Sequence, residues 1–156
     1  MNLKLSRCWK DADIRLGGGG NDYLRGGRDE DFVAGEAGDD ILNGNIGADL
    51  VNGGEGNDIV RGGRDNDVLS GGVGNDTLIG DVGADVLAGN EGSDLFALRT
   101  EIANAEEADL LLDFNPSEDR IGLTGGVTEA ALQFQDAVLP WICFWLVLLG
   151  SVRRIL

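Results

Sequence analysis

The sequence predicts an all-β fold: a parallel β-roll, wound as a right-handed solenoid of nonapeptide units and closed by a short C-terminal β cap. Three observations carry that prediction. Glycine recurs every nine residues from Gly17 to Gly89, aspartate follows it five places on, and an apolar side chain follows two places after that. Registered this way, nine consecutive units fill residues 17–97 without an insertion. Position 1 is always glycine and position 8 always apolar (Leu24, Val33, Leu42, Val51, Val60, Leu69, Leu78, Leu87, Phe96). Periods of this kind belong to repeat architectures.

A helix does not accommodate the pattern. At 100° per residue, nine residues advance 900°, so successive position-8 side chains would face opposite ways. Glycine at this density also makes helix expensive. A six-residue turn followed by a three-residue strand fits better. Glycines then serve the turn, position 8 faces one side, and positions 7 and 9 face the other. Two units make a coil of eighteen residues, and stacked coils give two parallel sheets with position 8 between them.

Position 6 is aspartate in all nine units: Asp22, Asp31, Asp40, Asp49, Asp58, Asp67, Asp76, Asp85 and Asp94. Turn formation explains some aspartates, as Asx-turns do. It does not explain an invariant position 6 beside a position 5 that varies among Asn, Glu, Asp, Ala and Ser. Alternate units share an edge, so Asp22, Asp40, Asp58, Asp76 and Asp94 align on one edge and Asp31, Asp49, Asp67 and Asp85 on the other. Neighbours lie about one strand spacing apart, roughly 4.8 Å. The array holds seventeen acidic residues and four basic ones, so its closure calls for counter-ions. Nine apolar side chains also give little core for so much glycine-rich chain to be ordered. Oxygen-only donors, in a chain with no histidine, point to calcium rather than zinc or copper. Calcium's irregular oxygen shells favour it over magnesium. Five turns on one edge leave four gaps and four on the other leave three, which accommodates up to about seven ions.

"GGEGNDIVR" and "GGVGNDTLI" match GGxGxDxUx (U aliphatic), and on these units the chain resembles the RTX (repeats-in-toxin, hemolysin-type) calcium-binding repeat family. The resemblance implies a calcium-loaded parallel β-roll with the position-6 aspartates as side-chain ligands. It further implies an extracellular, secreted protein exported by a type I secretion system, unfolded at low cytosolic calcium and folded outside. Six positions depart from the pattern: Glu36, Asn45, Asp81 and Asn90 at position 2, and Asp29 and Asp65 at position 4. Asp is among the less costly residues for left-handed geometry, so these turns are expected to survive.

The flanks divide into residues 1–16, 98–136 and 137–156. Asp13-Ile14 falls in register with positions 6 and 7, but Arg15 stands at position 8, as in a decayed repeat. "ADLLLDFNPSEDRIGL", residues 108–123, resembles the segment that follows RTX arrays and is expected to cap the last coil, where an open edge would invite aggregation. Its Asp109, Asp113 and Asp119 are not counted among the ligands. "AVLPWICFWLVLLGSV", residues 137–152, falls short of the roughly 20 residues of a spanning helix and contains Pro140, so a strand or hydrophobic contact is expected over a membrane anchor. Residues 1–16 lack the apolar stretch of a cleaved signal, and Cys8 and Cys143 make no disulfide framework.

A net charge of -16 offers duplex nucleic acid no basic stripe. Without histidine there is no Ser-His-Asp triad or HExxH site, and neither GxSxG nor GxxxxGK occurs. The sequence therefore reads as a calcium-binding module and not an enzyme. The alternatives are a structural or adhesive surface protein, suggested by the apolar outward position 7 (Tyr23, Phe32, Ile41, Leu50, Ile59), or the non-catalytic remnant of an exported hydrolase or toxin. Among outward positions 7 of the array only Thr77 is threonine, which argues against an ice-binding face.

Overall fold

The computed structural model describes residues 11–99, 108–124, 132–135 and 145–148. Fourteen strands follow one another: β1 (Ile14–Gly19), β2 (Tyr23–Arg28), β3 (Phe32–Ala37), β4 (Ile41–Ile46), β5 (Leu50–Glu55), β6 (Ile59–Arg64), β7 (Val68–Val73), β8 (Thr77–Val82), β9 (Val86–Glu91), β10 (Leu95–Arg99), β11 (Leu110–Leu111), β12 (Arg120–Thr124), β13 (Leu132–Gln135) and β14 (Trp145–Leu148). The odd strands β1 to β11 form one six-stranded sheet. The even strands β2 to β12 form the other. Every pairing within them is parallel, and inside the array partners lie eighteen residues apart, as in Leu24↔Leu42 and Val33↔Val51. The chain is a parallel β-roll.

The strands are longer than the expected three residues. Each array strand except β10 has six, running from position 7 through position 3 of the next unit. Positions 2 and 3 keep pairing with the neighbouring coil, as Gly27↔Asn45 and Arg28↔Ile46 do, which leaves only positions 4 to 6 as the turn. The decayed N-terminal unit still supplies β1, paired through Arg15↔Val33. Arg15 occupies the inward position 8, and its guanidinium reaches Asp13 at 2.7 Å.

The core is the position-8 column. Val33, Leu42, Val51, Val60, Leu78, Leu87 and Phe96 are fully buried, joined by Leu24, Leu69, Leu98 and Leu111. All six departures from the glycine pattern hold positive φ: Asp29, Glu36, Asn45, Asp65, Asp81 and Asn90, between 70° and 85°. Left-handed geometry is thus imposed at positions 2 and 4 whatever residue stands there, and Asn and Asp are the residues that tolerate it best.

Beyond the array, β11 joins β9 and β12 joins β10, extending both sheets by one strand. Phe114 packs edge-on against Phe96 with ring centroids 6.0 Å apart. Strands β13 and β14 pair antiparallel as a separate ribbon, so part of the apolar tail is strand. The remaining tail residues and both cysteines lie outside the described residues. Among the described residues no helix is long and apolar enough to cross a membrane.

Candidate metal centre

Position 6 closes each three-residue turn, and its backbone is tied into the ladder. The next residue's N–H donates to the carbonyl of the position-6 aspartate one coil earlier, as Ile41 does to Asp22 at 3.0 Å. The side chains do not lie on a solvated edge. All nine position-6 aspartates are at most 5% exposed. From Asp31 onward each is drawn in because its Oδ1 accepts a hydrogen bond from the backbone N–H of the aspartate one coil earlier. On one edge Asp22 donates to Asp40, Asp40 to Asp58, Asp58 to Asp76 and Asp76 to Asp94, at 2.7–2.9 Å. On the other, Asp31 donates to Asp49, Asp49 to Asp67 and Asp67 to Asp85, each at 2.8 Å. The two groupings read from the sequence are therefore the two ladders of the fold.

The ladders run further than the array. Asp13 donates to Asp31 at the N-terminal end. At the other end Asp109 accepts from Asp85 at 3.1 Å and Asp119 accepts from Asp94 at 3.0 Å. Asp113 holds the N–H groups of Gly89 and Asn90 at 2.9 and 2.7 Å. These cap aspartates were left out of the sequence-based set because period nine does not reach them. Their signal was the Asp-x-aliphatic triplet of Asp109-Leu110-Leu111 and Asp119-Arg120-Ile121, which is the end of the repeat motif without its glycines.

The second carboxylate oxygen has a different fate. Oδ2 of Asp31, Asp40, Asp49, Asp58, Asp67, Asp76 and Asp85 is buried without a hydrogen-bond partner. Burial raises the pKa of each of these groups, against the partial relief given by the donated N–H. Asp49, Asp58 and Asp76 are pushed up to about 6 and Asp67 to about 8. Asp31, Asp40, Asp85 and Asp94 move the same way. Such carboxylates want either a proton or a cation.

The position-1 glycine leaves the space that Oδ2 fills. A Cβ on Gly53 would collide with Asp58 Oδ2 and with the carbonyl oxygen of Gly71; one on Gly35 would meet Asp40 Oδ2 and the carbonyl of Gly53. Carboxylate and carbonyl oxygens are thereby brought close together. Among the described residues no three His, Cys, Asp or Glu side chains converge on one point, so a metal ion held here would need backbone carbonyls as well as carboxylates. Such an all-oxygen set suits a hard, flexible cation such as calcium. Position 5 also has an order hidden by the nine-residue period. On the Asp22 edge, Asn21, Asp39, Asn57 and Asn75 each accept from the backbone N–H one coil later, at 2.8–3.1 Å.

Fold and site together define a solenoid whose wall carries two buried aspartate ladders against glycine backbone. The family model of the RTX calcium-binding nonapeptide repeat matches in four overlapping copies, at residues 16–51, 34–69, 43–78 and 61–96, and the chain belongs to that family. Its repeats are calcium-binding repeats in a fold that is itself non-catalytic. No curated protein and no solved structure matches the chain.

Proposed function

We propose that calcium, held by Asp22, Asp31, Asp40, Asp49, Asp58, Asp67, Asp76, Asp85 and Asp94 with turn carbonyls, is the folding switch of this chain. The observation that carries the proposal is the row of seven buried, unpartnered Oδ2 atoms. Each is a charge that the fold buries without a protein donor, and such burial is costly unless something compensates it. Calcium supplies the missing positive charge and accepts the irregular oxygen shell. The aspartates fix the ladder through Oδ1, and glycine at position 1 makes room for their Oδ2 beside backbone carbonyl oxygens. The load of about seven ions is one for each gap between coils along the two edges.

Because ligation and folding are one event, the chain's state follows free calcium. RTX repeat proteins are typically exported. This chain would leave the cell unfolded through a type I secretion system, where calcium is scarce, and close outside, where it is plentiful. The exposed apolar columns at position 7 favour a second, compatible reading as a structural protein of the cell surface. The test is far-UV circular dichroism of the full chain during calcium titration, with magnesium as control. A cooperative coil-to-β transition is expected with calcium and not with magnesium. A β signal already complete in chelator would overturn the switch.

A further inference from the structure

The two outer faces of the roll carry opposite charge. The even sheet presents Arg25, Arg28, Arg61, Arg64 and Arg120 outward. Its one outward acidic side chain among the described residues is Asp81, and that is paired with Arg61. The odd sheet presents Glu36, Glu55 and Glu91 outward, while its Arg15 turns inward onto Asp13. Both faces also carry an exposed apolar column at position 7. Ile41, Ile59 and Leu95 form it on the even sheet and Ile14, Leu50 and Val68 on the odd, at 37–75% exposure. Nothing in a β-roll requires arginine on one sheet and glutamate on the other.

The charges share a spacing. Arg28 and Arg64 stand at position 3 of β2 and β6; Glu55 and Glu91 stand at position 3 of β5 and β9. Each pair is two strands apart within its sheet, about 9.6 Å. The common interval follows from an internal duplication, in which residues 21–56 recur as residues 57–92. "NDYLRGGRDED" returns as "NDIVRGGRDND", and "GADLVNGGEG" as "GADVLAGNEG".

Strand direction makes the two faces complementary. Even strands run from the Asp22 ladder edge toward the Asp31 ladder edge, and odd strands run back. A second copy turned by 180° about the sheet normal brings its odd strands alongside the first copy's even strands in the same direction. Position 7 then faces position 7, apolar on apolar. Position 3 faces position 3, with Arg28 opposite the second copy's Glu91 and Arg64 opposite its Glu55. We propose that the folded chain stacks on a second copy of itself, basic even sheet against acidic odd sheet. The contact is heterologous, so each added copy leaves one face open and the stack propagates. An anionic polymer would use the arginines alone, leaving the matched glutamates and both apolar columns without a role.

Sedimentation velocity of the full chain in saturating calcium tests this, with circular dichroism reporting separately whether each sample is folded. Concentration-dependent assembly is expected, weakened by added salt. Arg28→Glu with Arg64→Glu, or Glu55→Arg with Glu91→Arg, should each raise the concentration for half-assembly on the order of tenfold or more. Mixing the two double variants should restore assembly, because each then offers the face the other lacks. If a charge reversal impairs folding, the glutamine replacements at the same positions serve instead, with a smaller loss and, on mixing, a rescue limited to paired copies, because only the native arginine face on the native glutamate face is restored. A folded chain that stays monomeric at high concentration overturns the proposal. So does assembly indifferent to both double variants, which would point to the apolar tail. Monomers that bind dextran sulfate through the arginines would also overturn it, in favour of a polyanion site.

Discussion

At position 1 glycine is required for space, not for φ, and at position 3 it is not required at all. Gly53 lies under Asp58 Oδ2, whereas a Cβ on Gly19 meets nothing within 4 Å. Gly53→Ala should therefore cost about 1–3 kcal/mol through forced displacement. Gly19→Ala, at an ordinary φ, should be neutral or stabilising by about 0.4–1 kcal/mol. Denaturant unfolding in saturating calcium measures both, and equal costs would refute the steric account. The pairing of glycine with aspartate is visible where it ends. Leu98 takes the inward place of position 1, buried at 1% exposure, and the residue five places on is Ala103 instead of aspartate. The aspartates themselves should differ along the ladder. Asp58→Asn keeps an oxygen for the Asp40 N–H but removes the charge from a buried, unpartnered site, so its calcium midpoint should rise severalfold. Asp22→Asn, at the ladder's start and without an orphaned Oδ2, should move the midpoint less. Titrations that shift alike would mean the orphaned oxygens do not bind.

The cap acts as the last coil of both ladders. Asp113 takes two N–H groups of β9, Asp109 and Asp119 close the aspartate ladders, and Phe114 covers Phe96. Asp113→Ala would leave the Gly89 and Asn90 donors without that partner, at a cost of about 1–3 kcal/mol. Because a solenoid's coils contact only their neighbours, the loss should fray it from this end. Hydrogen exchange in calcium should lose protection in β9 and β10 first, while β3 to β6 stay protected; uniform loss would show that the roll melts as one unit. This element was half legible. Its Asp-x-aliphatic triplets announced ladder strands, but the step from Asp85 to Asp109 is twenty-four residues, not eighteen, so counting alone could not place them. The strand length was misread for a related reason. Glycine signals a turn, yet the glycine at position 1 lies inside a strand, admitted there by a neighbouring carboxylate that only the folded coil brings close. Likewise position 5 looks random at period nine and becomes a ladder only at period eighteen, once the edges are separated.

For the whole molecule, coil length, sheet order and core column followed from the nine-residue beat, because repetition turns local geometry into global geometry. What the beat concealed is that the aspartates are buried, from which a second way for the roll to close, by protonation, is expected. Burial holds eight of the position-6 aspartates, Asp31 through Asp94, above the usual carboxylate range. A folded-state value above the unfolded one means that the folded, metal-free chain binds more protons than the coil does. That contribution to stability is complete below the unfolded value, about 3.9, and is lost as pH rises through the folded values. Those are about 6 for Asp49, Asp58 and Asp76 and about 8 for Asp67. In calcium-stripped buffer the chain should gain β structure as pH falls from 8 to 5, a range that stays above its isoelectric point near 4.1 and so avoids precipitation. Calcium should reverse the trend, since it needs the carboxylates ionised and its binding expels protons. The calcium midpoint should accordingly rise as pH falls over the same interval. Circular dichroism across the grid of pH and calcium decides it. A stripped chain that remains coil at pH 5, while the calcium midpoint is independent of pH, would mean that the buried carboxylates are not what holds the metal-free roll open.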